Sequence, residues 1–304
     1  MYSAEFHKTY EMDIAEFHKT YEKVIYKKED GIVTIINNDT KTKNSARGLF
    51  PGLAQATRMI NADPEVRVVI ITGANEPGAQ HQAFCSGGNV KTFYDRVQKM
   101  KKGEPLEEEA WFRSNYLPLR MLTGSLKALR QPIIAMVNGD AVGAGMTLLM
   151  HCDIAIAADT ARFCHGYGRM GLSAGGGGEW VWAHKVGLRN SCYLAFTQKF
   201  FDAKEAKEVG VVNDVVPAAN LEEETYDLAR TIAAQPPVAI SQIKENLYFS
   251  VETPYNVMFT HSMFCHQHAF NSAEHAEAVS AFVEKRKPVF KDPPPPDSDP
   301  FTPY

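Results

Sequence analysis

An α/β layered fold is predicted for this chain by three observations. Short apolar runs of strand character alternate with helical segments between residues 24 and 158. Two of those runs end in small-residue turns that open helices, and beyond residue 177 the chain reads as almost wholly helical. Alternation of this kind builds a sheet with helices packed against it. Strands are expected at 24–27, 31–37, 66–72, 133–137 and 153–157, with a further short one in VVNDVVP at 211–217. Helices are expected at 48–61, 109–130 and 143–151, where apolar residues recur at helical spacing.

The ends of the chain read differently. AEFHKTYE occurs at 4–11 and again at 15–22, offset by eleven residues, which places Phe6, Tyr10, Ile14, Phe17 and Tyr21 on one helical face. This is either an added amphipathic docking helix or a duplication ahead of Met12. The tail DPPPPDSDPFTPY at 292–304 is expected to be extended and solvated. The organisation expected is an N-terminal extension at 1–22, a core at 23–216, a helical region at 217–291 and the proline-rich tail.

Composition excludes several function classes. A net charge of −4 gives no basic footprint for nucleic acid. No apolar run approaches the roughly 20 residues that span a membrane, and the first residues contain no apolar signal core. Five cysteines without a CxxC pair suit free thiols in a reducing cytoplasm. His261, His268 and His275 recur every seven residues, but ligands two turns apart do not share one ion, and no HExxH or Cys/His zinc spacing occurs. No metal is expected. GGNVK is neither a Walker loop nor a dinucleotide fingerprint, so neither ATP nor NAD is implied.

The two turns carry the chemical signal. AFCSGGNVK at 83–91 follows VRVVIITG, and NGDAVGAGMTLLMHCDIAIAAD at 138–159 follows PIIAMVNG. A strand, small residues and a helix start together leave backbone N–H groups free at the positive end of a helix dipole. Two such turns aimed at one oxygen hold it as an oxyanion.

These turns, with CDIAIAAD, RMGLSAGGGGEW at 169–180, DAKEAKEVGVVNDVVP at 202–217 and AFVEKRKPVF at 281–290, resemble the crotonase (enoyl-CoA hydratase/isomerase) superfamily over residues 22–291. The resemblance implies a ββα spiral core and a helical C-terminal domain that forms trimers or dimers of trimers. It implies an acyl-CoA substrate whose thioester carbonyl is polarised by the N–H groups of Gly88 and Ala144, with coenzyme A entering as part of the substrate and no other cofactor required. Lys91, with Phe282 and Lys285 of a neighbouring subunit, is expected near the nucleotide. The segment 91–120, with Phe93, Tyr94, Trp111 and Phe112, reads as a flap over a bulky or cyclic acyl group, or as a surface excursion ending in a helix.

The chain departs from that family where hydratases carry two glutamates, for Thr147 and Tyr167 stand there. Tyr167 is then an acid/base or a packed aromatic. His165 would point to the same side as Tyr167 in an extended segment and is a base or a structural hydrogen-bonder. Glu179 either aims into the acyl pocket or sits against a helix N-terminus. Thr147 binds a water or substrate oxygen, or its own i−4 carbonyl. Asp140 and His151 read as turn and packing residues. The missing glutamates, and Asn89 where hydratases have Asp, favour C–C bond hydrolase or lyase chemistry. The alternatives are a non-classical enoyl-CoA hydratase or isomerase, and a silent CoA-binding oligomer.

Overall fold

The computed structural model describes residues 12–105 and 117–290. The first hairpin pairs β1 (Val24–Glu29) with β2 (Ile32–Asn37) in antiparallel register. Its turn is Asp30-Gly31, both at positive φ (48° and 74°), the conformation that matches the right-handed twist of the strands. From β2 the sheet grows in parallel through β3 (Val68–Gly73), β5 (Ile133–Val137), β7 (Ile154–Ala158) and β10 (Asp214–Val216). Every residue of β3 and β5 is buried. Parallel strands covered on both faces read as unbroken apolar runs, so VVIITG and IIAMV were visible in the sequence.

A second sheet of four strands was not foreseen. It consists of β4 (Ala83–Cys85), β6 (Asp140–Val142), β8 (Arg162–Cys164) and β9 (Phe201–Asp202), in the order β4-β6-β8-β9. None exceeds three residues, which is too short to show a period, and each is a strand only because its neighbour supplies partners. Phe163 and Phe201 stack across β8 and β9 at 5.6 Å. The path repeats: β3 leads through β4 to helix α3 (Val90–Lys101), and β5 leads through β6 to helix α5 (Ala144–His151). Each repeat delivers the chain from the large sheet through the small one into a helix start. This is an α/β fold with two mixed sheets and C-terminal helices.

Helix α1 (Ile14–Thr20) belongs to the second AEFHKTYE copy and is capped by Asp13. It buries Phe17 against Tyr21 and Tyr26, and His18 Nε2 accepts the Tyr26 backbone N–H at 2.9 Å. Residues 1–11 and 291–304, with Phe6, Tyr10 and the proline-rich tail, lie outside the described residues. Helix α2 (Ala46–Ala62) buries Leu49, Leu53, Ala56 and Ile60 at helical spacing against the large sheet. The helix expected at 109–130 is described only as α4 (Leu117–Lys127), since 106–116 are not among the described residues. Helices α6 (Gly178–Val186), α7 (Leu188–Thr197) and α8 (Ala203–Glu208) follow the small sheet. No described helix is long and apolar enough to cross a membrane.

Helix α9 (Leu221–Ala233) covers the outer face of the large sheet, where Tyr226 Oη and Thr34 Oγ1 share a hydrogen bond of 2.7 Å. The last helices are α10 (Pro237–Ser250), α11 (Tyr255–Phe270) and α12 (Ala273–Glu284). A buried polar cluster docks α10 to the strands. Lys244 Nζ pairs with Asp153 Oδ2 at 2.7 Å and donates to the Gln131 carbonyl at 2.9 Å, while Tyr248 donates to Asp153 Oδ1 at 2.6 Å. Asp153 Oδ2 also accepts the N–H of Ile133 at 2.7 Å, so one carboxylate ties β5, β7 and α10 together.

Removing the carboxylate leaves a buried ammonium without its partner. Asp153→Ala is expected to lower unfolding free energy by about 3–5 kcal/mol in a denaturant titration. A loss below about 1 kcal/mol, the range of an exposed pair, would show that the cluster is solvated.

Candidate active site

The end of β4 and the start of α5 meet backbone to backbone. A Cβ on Gly145 would stand 2.0 Å from the Cys85 carbonyl oxygen. A Cβ on Gly87, whose φ is +86°, would stand 2.5 Å from the Val142 carbonyl oxygen and 3.3 Å from the Ala144 nitrogen. Only glycine permits both approaches. The Gly87 carbonyl accepts the Ala46 N–H at 2.9 Å, and the Gly143 N–H donates to Cys164 at 3.2 Å, so both turns are fixed from outside. Among the described residues neither the Gly88 N–H nor the Ala144 N–H meets an acceptor. Ala144 is the first residue of α5, so its N–H belongs to the unsatisfied group at the positive end of that helix.

Asn89 caps α3, its Oδ1 accepting the N–H groups of Lys91 and Thr92 at 3.0 and 3.3 Å. Its identity is therefore explained by the helix start. The Phe93 ring lies over Gly88, with Cζ 2.6 Å from where a Cβ would be. So the segment read as a flap begins as the helix α3, with Tyr94 exposed on it. Trp111 and Phe112 lie outside the described residues.

Thr147 and Tyr167 form a pair, Oγ1 to Oη at 2.9 Å. Thr147 is buried on α5, one turn beyond Ala144. Its own N–H donates to Gly143 at 3.0 Å, whereas its hydroxyl turns to Tyr167 instead of to that i−4 carbonyl. Burial pushes the Tyr167 phenol up to about 12, against a smaller opposing pull from Thr147 and from the backbone of Gly175. At neutral pH the group is a protonated donor.

His165 stands edge-on to Tyr167 with ring centres 5.5 Å apart, and equally close to Trp182. Its orientation is set by Gln198, which the sequence did not single out. Gln198 Oε1 accepts the Arg169 N–H at 3.4 Å, which turns its amide nitrogen toward His165 Nδ1 at 3.2 Å. Nδ1 is then the acceptor, and the ring proton sits on Nε2. Burial lowers the His165 pKa, with the charge of Glu179 acting in the opposite direction. The imidazole is neutral at pH 7 and its lone pair is engaged.

Glu179 lies in the first turn of α6, and its Oε1 accepts the Ala174 N–H at 2.5 Å. The carboxylate closes the glycine loop at the helix start; it acts on Tyr167 and His165 through its charge. His151 Nε2 meets the Gly176 carbonyl at 2.8 Å from the end of α5, so the loop is held at two points. Asp140 takes a two-pronged contact from Arg162, at 3.0 and 2.6 Å, which ties β6 to β8. Lys91 is exposed at the start of α3; Phe282 is 86 % exposed on α12, and Lys285 ends that helix in the left-handed conformation.

Two histidines, His165 buried and His151 half-buried, make the site acid-sensitive. His151 and His165 both have folded-state pKa values lowered by burial below the usual 6.5. As pH falls through 6.5 the unfolded chain takes up protons first, so stability is full above that value and declines below it. His151→Gln, which can still donate to Gly176, is expected to flatten the fall in melting temperature on the acid side. An acid profile unchanged in both His151→Gln and His165→Gln would contradict this assignment.

Residues 27–293 match the Enoyl-CoA hydratase/isomerase family. The chain is 30% identical to a probable enoyl-CoA hydratase of Mycobacterium bovis over 263 residues, covering 86% of this chain and 93% of the relative. It is 29% identical to the 1,2-epoxyphenylacetyl-CoA isomerase of Escherichia coli, covering 86% and 95%. The crystal structure of an enoyl-CoA hydratase from Bacillus anthracis superimposes with a TM-score of 0.79 at 28% identity, over 88% of this chain and 99% of that one. Taken with the two sheets and the paired turns, these likenesses establish that the chain is a member of the enoyl-CoA hydratase/isomerase (crotonase) superfamily.

Proposed function

We propose that the protein binds an acyl-CoA thioester, stabilises its enolate between the Gly88 and Ala144 N–H groups, and is a hydratase or isomerase that works without the two-glutamate pair. The observation that supports the reading is the contact of the two glycine turns, which brings Gly87 against the Ala144 nitrogen at the start of the helix that carries Thr147, the partner of Tyr167. Fixed donors cost no reorganisation when charge develops on the carbonyl oxygen. The relatives bear hydratase and isomerase names, which favours this class over C–C cleavage.

Tyr167 acts as the acid. In a hydration the water oxygen bonds to the β-carbon and the electron pair moves onto the thioester oxygen. The enolate then takes the phenolic proton at its α-carbon, and the water proton returns to Tyr167 directly or through Thr147. Coenzyme A enters as part of the substrate, and the step involves no resident cofactor. A second reading, C–C bond hydrolysis or lysis on a bulky acyl group, draws on one observation: positions 147 and 167 hold no carboxylate base, and an enolate released by cleavage needs only an acid.

The nucleotide end of the substrate is assigned to Lys91 with Phe282 and Lys285 of a neighbouring subunit. The exposure of Phe282, together with the exposed apolar residues Phe259, Met263 and Phe264 on α11, supports a homotrimer or dimer of trimers. Light scattering that returns a monomer would remove that contribution.

The test is product mass on a panel of acyl-CoA thioesters. A hydratase product gains water, an isomer keeps its mass, and a cleaved chain is opened or split; binding without any turnover identifies a silent CoA-binding protein. Gly88→Pro removes one oxyanion donor and is expected to lower kcat about a hundredfold or more with the oligomer intact. Tyr167→Phe is expected to lower kcat by about two to four orders of magnitude with little change in binding. Parent-level turnover by a folded Gly88→Pro variant would overturn the mechanism, and by Tyr167→Phe would leave the acid to another group.

A further inference from the structure

The hairpin of α10 and α11 gathers three different metal-ligating side chains that the enolate chemistry does not use. Glu245 lies on α10; His261 and Cys265 lie on α11 at i,i+4, one turn apart on the same face. His261 Nε2 is 3.1 Å from Glu245 Oε1 and 3.6 Å from Cys265 Sγ, and the three donor atoms all lie within 4.8 Å of one another. We propose that this cluster is a Zn²⁺-class transition-metal site that staples α10 to α11.

Two of the three donor spacings are those of a tetrahedral ion. With metal–N about 2.0 Å, metal–O about 2.1 Å and metal–S about 2.3 Å, the N···O edge of a tetrahedron is about 3.3 Å and the N···S edge about 3.6 Å. The observed 3.1 and 3.6 Å lie close to both, and the O···S pair, within 4.8 Å, closes to its edge of about 3.6 Å when the partly exposed Glu245 carboxylate swings inward onto the ion. Carboxylate and thiol address the same ring nitrogen, which excludes a relay in which the two would flank the imidazole on opposite nitrogens. Nε2 holds either one proton, which serves the carboxylate, or one lone pair, which serves the thiol. One cation accepts electron pairs from all three donor atoms at once.

The surroundings provide a seat and an entry. Cys265 is buried, the His261 side chain is 16% exposed, and that of Glu245 is 39% exposed. A hydrated ion meets the carboxylate first and sheds water as it moves in toward the sulfur, and a remaining water fills the fourth position from the Glu245 side. Phe249, one turn beyond Glu245, lies against the imidazole at 4.5 Å and walls the site with apolar surface. Thiolate, imidazole and carboxylate suit Zn²⁺ and Co²⁺ and disfavour Mg²⁺ and Ca²⁺. Binding releases the thiol proton to solvent, so affinity rises with pH. The histidine repeat of the sequence is not this site: His261 finds its partners on α10 and one turn away, not at His268 or His275.

The experiment uses the full chain, desalted after chelator treatment and titrated with Co²⁺. One equivalent per chain is expected, with a thiolate-to-cobalt charge-transfer band that Zn²⁺ abolishes on displacing the cobalt. Cys265→Ser is expected to lose the band, and Cys192→Ser, at a half-buried thiol on α7, to keep it. Because Cys265 is buried and its variant can misfold, Glu245→Gln provides a second reading: the fold is kept and Co²⁺ affinity falls by more than about tenfold. Zn²⁺ should also raise the melting temperature of the parent chain far more than that of Glu245→Gln. The proposal is overturned if the parent chain develops no band, if the band survives in folded Cys265→Ser, or if Glu245→Gln binds Co²⁺ as tightly as the parent. Acyl-CoA turnover plays no part in any of these readings.

Discussion

The contact between two backbone turns governs most of what this molecule can do. Gly145 lies against the Cys85 carbonyl and Gly87 against the Val142 carbonyl, at separations that a methyl group on either glycine would close. Because the turns touch, β4 and β6 run side by side, and the small sheet can continue to β8 and β9. The helices that leave those turns, α3 and α5, therefore start within reach of each other. The bonds that hold the turns in place are taken up by the neighbours Gly87 and Gly143, and among the described residues the Gly88 and Ala144 N–H groups meet no acceptor. A substitution that relaxed the contact would separate the donors and lengthen the small sheet's hydrogen bonds together.

Around that fixed frame the residues that move protons are free to vary. A carboxylate pair is a base that needs solvation or positive partners; a buried Thr–Tyr pair is neutral and needs only its own hydrogen bond. Burial pushes the phenol upward and the neighbouring imidazole downward, so both remain uncharged at neutral pH. The Thr147–Tyr167 pair thus offers neutral donors in a low-dielectric setting, with the Glu179 carboxylate the nearby charge. On the proposed function, that balance favours stabilising and protonating an enolate, while the scaffold is kept.

The sequence disclosed the large sheet because β3 and β5 are buried on both faces, and buried parallel strands leave an apolar signature. It disclosed the two turns because glycine and alanine cluster only where backbones approach. The small sheet stayed hidden, since strands such as Phe201–Asp202 have no local preference that a reader could detect. The pairing of Thr147 with Tyr167 was also out of reach: twenty residues separate them, and each reading of Thr147 considered only local partners or substrate. Glu179 lies in the first turn of α6, and its bond to Ala174 depends on how the glycine loop folds back. Gln198 sets the His165 tautomer from a left-handed position that ends a helix, and no pattern in the chain marks such a role. The Glu245, His261 and Cys265 cluster spans two helices, so motif spacing along one segment could not assemble it.

The central claim is that two backbone N–H groups polarise the thioester carbonyl, and vibrational spectroscopy reads that polarisation without waiting for chemistry. An acyl-CoA labelled with ¹³C at the carbonyl should show, when bound, a C=O stretch shifted to lower frequency than in water, with the shift largely lost in folded Gly88→Pro. A bound thioester whose carbonyl stretch stays at its solution frequency, or one whose shift persists undiminished in Gly88→Pro, would contradict the account.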